Sequence, residues 1–315
     1  MRFRTKVTIA CLAGFAAAYY WFMIEAGTDG IKPQAIDISR LRKEAQAIPG
    51  AKPESIEFVA PAVRRVPGTL LVAGGGLAPD LIADIAFRLH APGGDTVIDS
   101  GMSETQAKGG GYRLYFRQAQ AQIDAWMRDA AHIVFTHEHP GHIGGFVASP
   151  DFGSIVGKAV LSPVERAAVA ELRPADINRL PRAVDTDYAP IAPGVVTLAT
   201  PGHTPGSQMV FVQMQSGREY LFAGDTAAMA RNVEWQRPRS RLLGQWRSKS
   251  EDRAATIAWL KGLVDLHRRE PRLTIIYGHD LNKIVSPQSG LSMVNAYDAS
   301  LSDANRRPDN ADMHR

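Results

Sequence analysis

The stretch I-V-F-T-H-E-H-P-G-H-I-G-G, residues 133–145, decides how this chain is read. His137, His139 and His142 are three of its nine histidines, and they follow an apolar β-branched run that reads as a buried strand. In an extended segment alternate side chains share a face, so His137 and His139 reach towards one point. Pro140-Gly141 then turns the chain, and His142 returns to the same place from the start of the next element. Scattered histidines are usually surface or core residues. H-x-H-x-x-H behind a strand has the spacing of metal ligands.

Four further residues stand at the ends of strand-like runs. Asp99 ends T-V-I-D and is followed by Ser100-Gly101. His203 lies in T-P-G-H-T-P-G-S, residues 200–207, behind the strand V-V-T-L at 195–198. Asp225 ends L-F-A-G-D-T, and His279 ends I-I-Y-G-H-D. Alone, each reads as a turn acid or a satisfied loop histidine. Together, behind H-x-H-x-x-H, they point to one metal centre assembled from distant parts of the chain.

Around these motifs, strands are expected at 56–59, 69–73, 85–89, 96–99, 209–212, 220–223 and 273–277. Helices are expected at 118–130, 164–172 and 254–266, with a short helical stripe of Ile36, Ile38, Leu41, Ala45 and Ile48 ended by Pro49-Gly50. Strands interleaved with helices, without a tandem repeat, give sheets covered by helices, α/β or α+β in class.

Hydrophobic content of 45% and charged content of 22% over 315 residues are ordinary for a globular protein. The net charge of +4 includes Arg2, Arg4 and Lys6, and the remainder is close to neutral, so no nucleic-acid partner is expected. Residues 7–24 form an uncharged run that as a helix spans about 27 Å, close to a bilayer's hydrocarbon thickness. A basic flank precedes it, and Tyr19, Tyr20, Trp21 and Phe22 cluster at its far end like an interfacial belt. A retained anchor is the preferred reading. The rival is a cleaved signal peptide with Ala16-x-Ala18 as a weak cleavage site. Either way the body is expected outside the cytoplasm, on the periplasmic side of the inner (plasma) membrane. Cys11, the only cysteine, lies within the apolar run, so the body has neither disulfide nor thiolate ligand. The expected division is a cytoplasmic stub and anchor at 1–24, a linker with a short helix at 25–55, a catalytic domain at 56–295 and a polar tail at 296–315.

The motifs I-D-S-G, T-H-E-H-P-G-H-I-G-G, T-P-G-H-T-P-G-S, F-A-G-D-T and Y-G-H-D resemble those of the metallo-β-lactamase fold superfamily of metallohydrolases, over roughly residues 58–287. The resemblance implies an αββα sandwich, two sheets face to face with helices outside and metals at one sheet edge. Carried over by position, it implies that His137, His139 and His203 hold one metal, that His142 and His279 contribute to a second, and that Asp225 bridges the two. Asp225 and His279 are thereby the implied catalytic pair, and Asp99 a structural residue beside them. The family pattern is H-x-H-x-D-H, and here Gly141 stands in the aspartate's place. The second site is therefore expected to be weakened, with Glu138 or Asp280 as minor substitutes, and Gly141→Asp is expected to tighten it.

A bound divalent ion lowers the pKa of water to around 7 and polarises the scissile oxygen. Imidazole and carboxylate ligands suit zinc, and also iron or manganese. The expected activity is hydrolysis of an ester, thioester, lactone or related bond in a small molecule. The alternatives are a mononuclear iron oxygenase of the same fold and a non-catalytic metal-binding member. Asp225 stands where zinc β-lactamases carry a cysteine, which favours a resemblance to the lactonase, glyoxalase II and alkylsulfatase-like branches. The segment 100–111 reads as a polar surface loop. The arginine- and tryptophan-rich stretch with Arg231, Trp235, Arg237, Arg239, Arg241, Trp246 and Arg247 reads as a solvated face, with a substrate lid as the rival.

The apolar run generates a topology prediction. A reporter fused after Arg315 should be active outside the cytoplasm, and the protein should resist alkaline extraction from membranes. Soluble protein beginning near Tyr19 would show a cleaved signal peptide, and cytoplasmic reporter activity would refute export.

Overall fold

The structure, a computed structural model, describes residues 3–243 and 251–294. The polar tail at 296–315, and Trp246 and Arg247, lie outside the described residues.

Twelve strands are seen among the described residues: β1 (Ser55–Pro67), β2 (Pro79–His90), β3 (Thr96–Ile98), β4 (Leu114–Tyr115), β5 (His132–Val134), β6 (Ala159–Val160), β7 (Tyr188–Ala192), β8 (Val195–Ala199), β9 (Gln208–Gln213), β10 (Glu219–Phe222), β11 (Thr274–Ile276) and β12 (Ser292–Met293). The first sheet runs β12-β1-β2-β3-β5-β6, with β4 also paired to β1, and the second runs β11-β10-β9-β8-β7. β3, β5 and β6 are mutually parallel, as are β10 and β11. Each of these parallel connections requires a crossover, which helices Arg117–Asp129, Pro140–Ala148 and Arg253–Arg269 supply.

Period-two alternation in the second sheet separates two cores. Val195, Val210, Val212, Tyr220 and Phe222 pack inward with Phe58, Phe87 and Ile98 of the first sheet. Val196, Leu198, Met209, Phe211 and Leu221 pack outward against Leu260, Leu263 and Leu266 of the helix Arg253–Arg269, and against Ile36 and Leu41. Phe87 and Phe222 meet edge to face, centroids 4.8 Å apart, across the space between the sheets. The result is the mixed α/β sandwich expected from the sequence.

Two expectations about local secondary structure fail. Residues 69–73 are not a strand: Gly68–Leu71 is a short helix, with Gly68 and Thr69 N–H groups donating to Ala78 and Gly76. β1 and β2 are antiparallel neighbours, so the chain must reverse here, and the apolar composition of T-L-L-V-A is spent lining that reversal. The segment 100–111 is not a plain surface loop either. Ser103 and Gln106 form a capping box for helix Glu104–Gly109, and Met102 and Ala107 are buried.

The apolar N-terminal helix Phe3–Tyr19 continues as a π-helical turn, Tyr20–Ile24, and buries none of its residues. Length and composition make it a candidate span; a signal sequence passes the same test. The segment behind it is packed, not loose. Met23 O accepts from Thr69 Oγ1 (2.6 Å) and Gly74 N (2.9 Å), and Arg253 Nε donates to Ala26 O (3.0 Å).

Glu165 supplies a stability prediction. It is fully buried, and its carboxylate accepts from Ser162 N at 2.7 Å in a capping box and from Gln208 Nε2 at 3.3 Å. Burial pushes its carboxyl from 4.5 up to about 8, against the Ser162 hydrogen bonds and helped by the charge of Glu138. The folded state thus prefers the protonated acid, and that contribution to stability is lost as pH rises from about 4.5 towards 8. The melting temperature of the native chain should fall relative to Glu165→Gln between those limits. Parallel melting curves for the two proteins across that range would refute it.

Candidate metal centre

Five of the singled-out residues stand beyond the C-terminal ends of strands. Asp99 follows β3, His137 follows β5, His203 follows β8, Asp225 follows β10 and His279 follows β11. Strand ends carry no further ladder bonds, so their side chains are free to converge. Pro140 takes the first position of helix Pro140–Ala148, where no N–H is needed, and this places His142 in its first turn.

Two groups of donor atoms result. His137, His139, His203 and Asp225 form the first, and Asp84, His142 and His279 the second; within each, the donor atoms lie within 4.8 Å of one another. In the first, His139 Nδ1 is 3.1 Å from both His137 Nε2 and His203 Nε2, and Asp225 Oδ2 is 3.9 and 3.5 Å from the latter two. Towards the second group, Asp225 Oδ1 is 3.7 Å from His142 Nε2 and 3.0 Å from His279 Nε2. One carboxylate therefore faces both groups, one oxygen to each.

The surroundings decide which ring nitrogen is presented. His279 Nδ1 donates to Ala83 O at 2.7 Å, and His142 Nδ1 lies 2.8 Å from Asp99 Oδ2. With Nδ1 engaged, each ring offers Nε2 inward. Asp99 also accepts from Thr136 N at 2.7 Å and from Thr136 Oγ1, and is held in the left-handed region at φ 61°. Aspartate tolerates that conformation better than most residues. This is the structural place expected for Asp99.

Burial pushes His137 down, and His139 to about 4, so both stay neutral with a lone pair available. For His279 burial is outweighed by Asp225 and Asp84, which push it up to about 9. Burial likewise opposes a charge on His142, yet Asp99 holds it above the ordinary histidine range. Asp225 is largely removed from solvent, but His279, His142 and His137 hold its carboxyl well below the usual range. Asp225 Oδ1 and Asp84 Oδ2 are buried and, among the described residues, lack a partner in hydrogen-bonding geometry. Buried carboxylate oxygens without partners, beside a cluster of imidazole nitrogens, are a donor set that fits a divalent transition ion.

Asp84 was not singled out from the sequence. The two substitutes that were are engaged elsewhere: Glu138 accepts from Thr204 Oγ1 at 2.7 Å, and Asp280 accepts from Ala230 N and Lys283 N at 3.0 and 3.2 Å. Asp84 sits in β2 between Ala83 and Ile85, buried on all sides. Its one signal is being the lone acid within L-I-A-D-I-A-F.

The arginines expected on a solvated face are paired. Arg239 lies 2.9 Å from Glu251 and against the His203 ring, Arg231 pairs with Asp80, and Arg241 pairs with Glu25 and covers the Trp21 ring at 4.2 Å. A cleft lined by Leu70, Leu71, Ile82, Asn232, Pro238 and Arg239 opens beside Asp225 and His279.

Residues 86–279 match the family described as the metallo-beta-lactamase superfamily. The chain belongs to it. An N-acyl homoserine lactonase of Bacillus sp is 22% identical over 228 residues, 66% of this chain and 86% of that protein. The solved structure of an N-acyl homoserine lactone hydrolase with N-hexanoyl-L-homoserine at its catalytic metal centre has a TM-score of 0.59 and 18% identity, covering 76% of this chain and 98% of that one. A dizinc quorum-quenching lactonase has a TM-score of 0.50 and 14% identity, covering 73% and 91%. At those identities the two structures establish the fold alone. The metallohydrolase assignment made from the motifs holds at the level of the superfamily.

Proposed function

We propose that this superfamily member is a lactonase-like hydrolase, zinc-dependent and opening an ester or lactone in a small amphiphilic molecule. The observation that carries the reading is Asp225, whose Oδ2 faces His137 and His203 and whose Oδ1 faces His142 and His279. In this reading His137, His139 and His203 would hold one ion, His142 and His279 would serve a second, and Asp225 would contribute to both. Bound there, the ions would lower the pKa of water to about 7 and polarise the acyl oxygen. The chain's own part is orientation. Asp99 and Ala83 fix the His142 and His279 rings, and Asp225, held ionised, keeps both groups at one separation.

The lactonase names borne by the relatives support a lactone among the candidate bonds. The lining of Leu70, Leu71 and Ile82 supplies an apolar wall for an acyl portion, and Arg239 a cation for a polar end. The chain also leaves its apolar N-terminal helix next to this wall, through the Thr69 and Gly74 bonds to Met23. As a membrane anchor on the periplasmic side, the helix would hold the cleft near a bilayer surface.

Full-length protein purified in detergent with zinc or manganese should hydrolyse N-acyl lactones in preference to thioesters, sulfate esters, phosphodiesters and β-lactams. Chelation should abolish the activity. His137→Ala or Asp225→Asn should cost at least about 100-fold, beyond the 10–100-fold typical of losing an outer contact. Turnover of none of these bonds, or turnover indifferent to both chelator and substitution, would refute the reading.

A further inference from the structure

We propose that Asp84 is the carboxylate ligand of the second ion, taking from β2 the place that the family pattern gives to residue 141. The proposal rests on the assignment of His142 and His279 as ligands of that ion, and adds the residue that completes their set. Three observations meet at this point. A Cβ built on Gly141 would lie 2.5 Å from Asp84 Oδ1, about the distance from an aspartate's own Cβ to its carboxylate oxygens. Asp84 Oδ1 therefore occupies the space that a carboxylate on residue 141 would fill. Asp84 also shares a group of donors within 4.8 Å with His142 and His279. Finally, it is 1% exposed, and its Oδ2 has no hydrogen-bond partner among the described residues.

A carboxylate buried in an apolar strand is costly unless something cationic compensates it. Its titratable neighbours include His279, with Nδ1 3.5 Å from Oδ1, and the phenol of Tyr112, which hydrogen-bonds to the carboxylate. The His279 Nδ1 proton already goes to Ala83 O. A divalent ion held by Asp84, His142 and His279 would supply that compensation.

Gly141 and Asp84 then exclude one another's alternatives. Any side chain at 141 meets the Asp84 carboxylate, with Asp84 Cγ also only 3.0 Å from that Cβ. Glycine at 141 is the condition for the relocated ligand, not the mark of a lost one. This reverses the expectation for Gly141→Asp: a second carboxylate there adds overlap and like-charge repulsion, and should weaken the second site.

The test is a swap, read as metal per chain. Full-length protein in detergent is loaded with zinc, dialysed and measured by elemental analysis, then titrated calorimetrically. The native chain should hold two ions. Asp84→Asn, nearly isosteric and with thermal unfolding monitored alongside, should hold one tightly and bind the second at least about tenfold more weakly. Gly141→Asp alone should likewise lose the second ion. Asp84→Ala combined with Gly141→Asp should regain it. Two ions held unchanged by Asp84→Asn, tighter binding in Gly141→Asp alone, or a folded double variant that stays at one ion each overturns the proposal. A double variant that does not fold leaves the decision to Asp84→Asn. If His137→Ala alone removes the first ion while Asp84→Asn changes nothing, the relocation fails and the metallohydrolase reading stands.

Discussion

Asp225 is the group on which the rest of this centre depends, because a carboxylate between four imidazoles sets the electrostatics of both halves. It raises His279 and is itself held ionised by the rings around it. Its two oxygens address different groups, so moving the end of β10 would separate His137 and His203 from His142 and His279. The strand is tied on both sides, antiparallel to β9 and parallel to β11, the strands nearest the His203 loop and His279. Sheet pairing thereby becomes site geometry.

β2 does a second job of the same kind. Ala83 accepts the Nδ1 proton of His279, and Asp84, the next residue, turns its side chain into the second group. One strand thus fixes a ring's tautomer and adds a carboxylate beside it. This also answers the motive for a mononuclear alternative, which drew on the absence of a carboxylate at 141. A carboxylate is present in that space, from another part of the chain.

What could be read in advance follows from how local each signal is. H-x-H-x-x-H, the strand ends and the helix starts are patterns of a few residues, and Pro140, Asp99, His203, Asp225 and His279 all stand where those patterns put them. Asp84 was illegible because its significance lies in a contact with Gly141, 57 positions away by numbering. β2 is buried on both faces, so no alternation marks one side of it as the site. Residues 69–73 misled for a related reason. Their apolar content is real, but the antiparallel pairing of β1 with β2 demands a reversal that composition does not reveal. The arginines misled in the opposite direction, since Asp80, Glu25 and Glu251 lie far from most of their partners in sequence.

The joint between the apolar helix and the body carries the last consequence. Residues 25–33 open the segment expected to be a linker, yet Glu25 pairs with Arg241, Arg253 holds the carbonyls of Glu25 and Ala26, and Lys261 holds those of Thr28 and Ile31. A strap with that many charged and backbone contacts does not swing freely. Arg239 and Arg253 both flank it: Arg253 donates to Arg239 O at 2.7 Å, and Arg239 in turn reaches His203. The contacts run without a break from the end of the N-terminal helix, through Glu25, Arg253 and Arg239, to a histidine of the first donor group. The position of that helix relative to the cleft is therefore part of the site's construction, and a change in the strap should be felt first at Arg239.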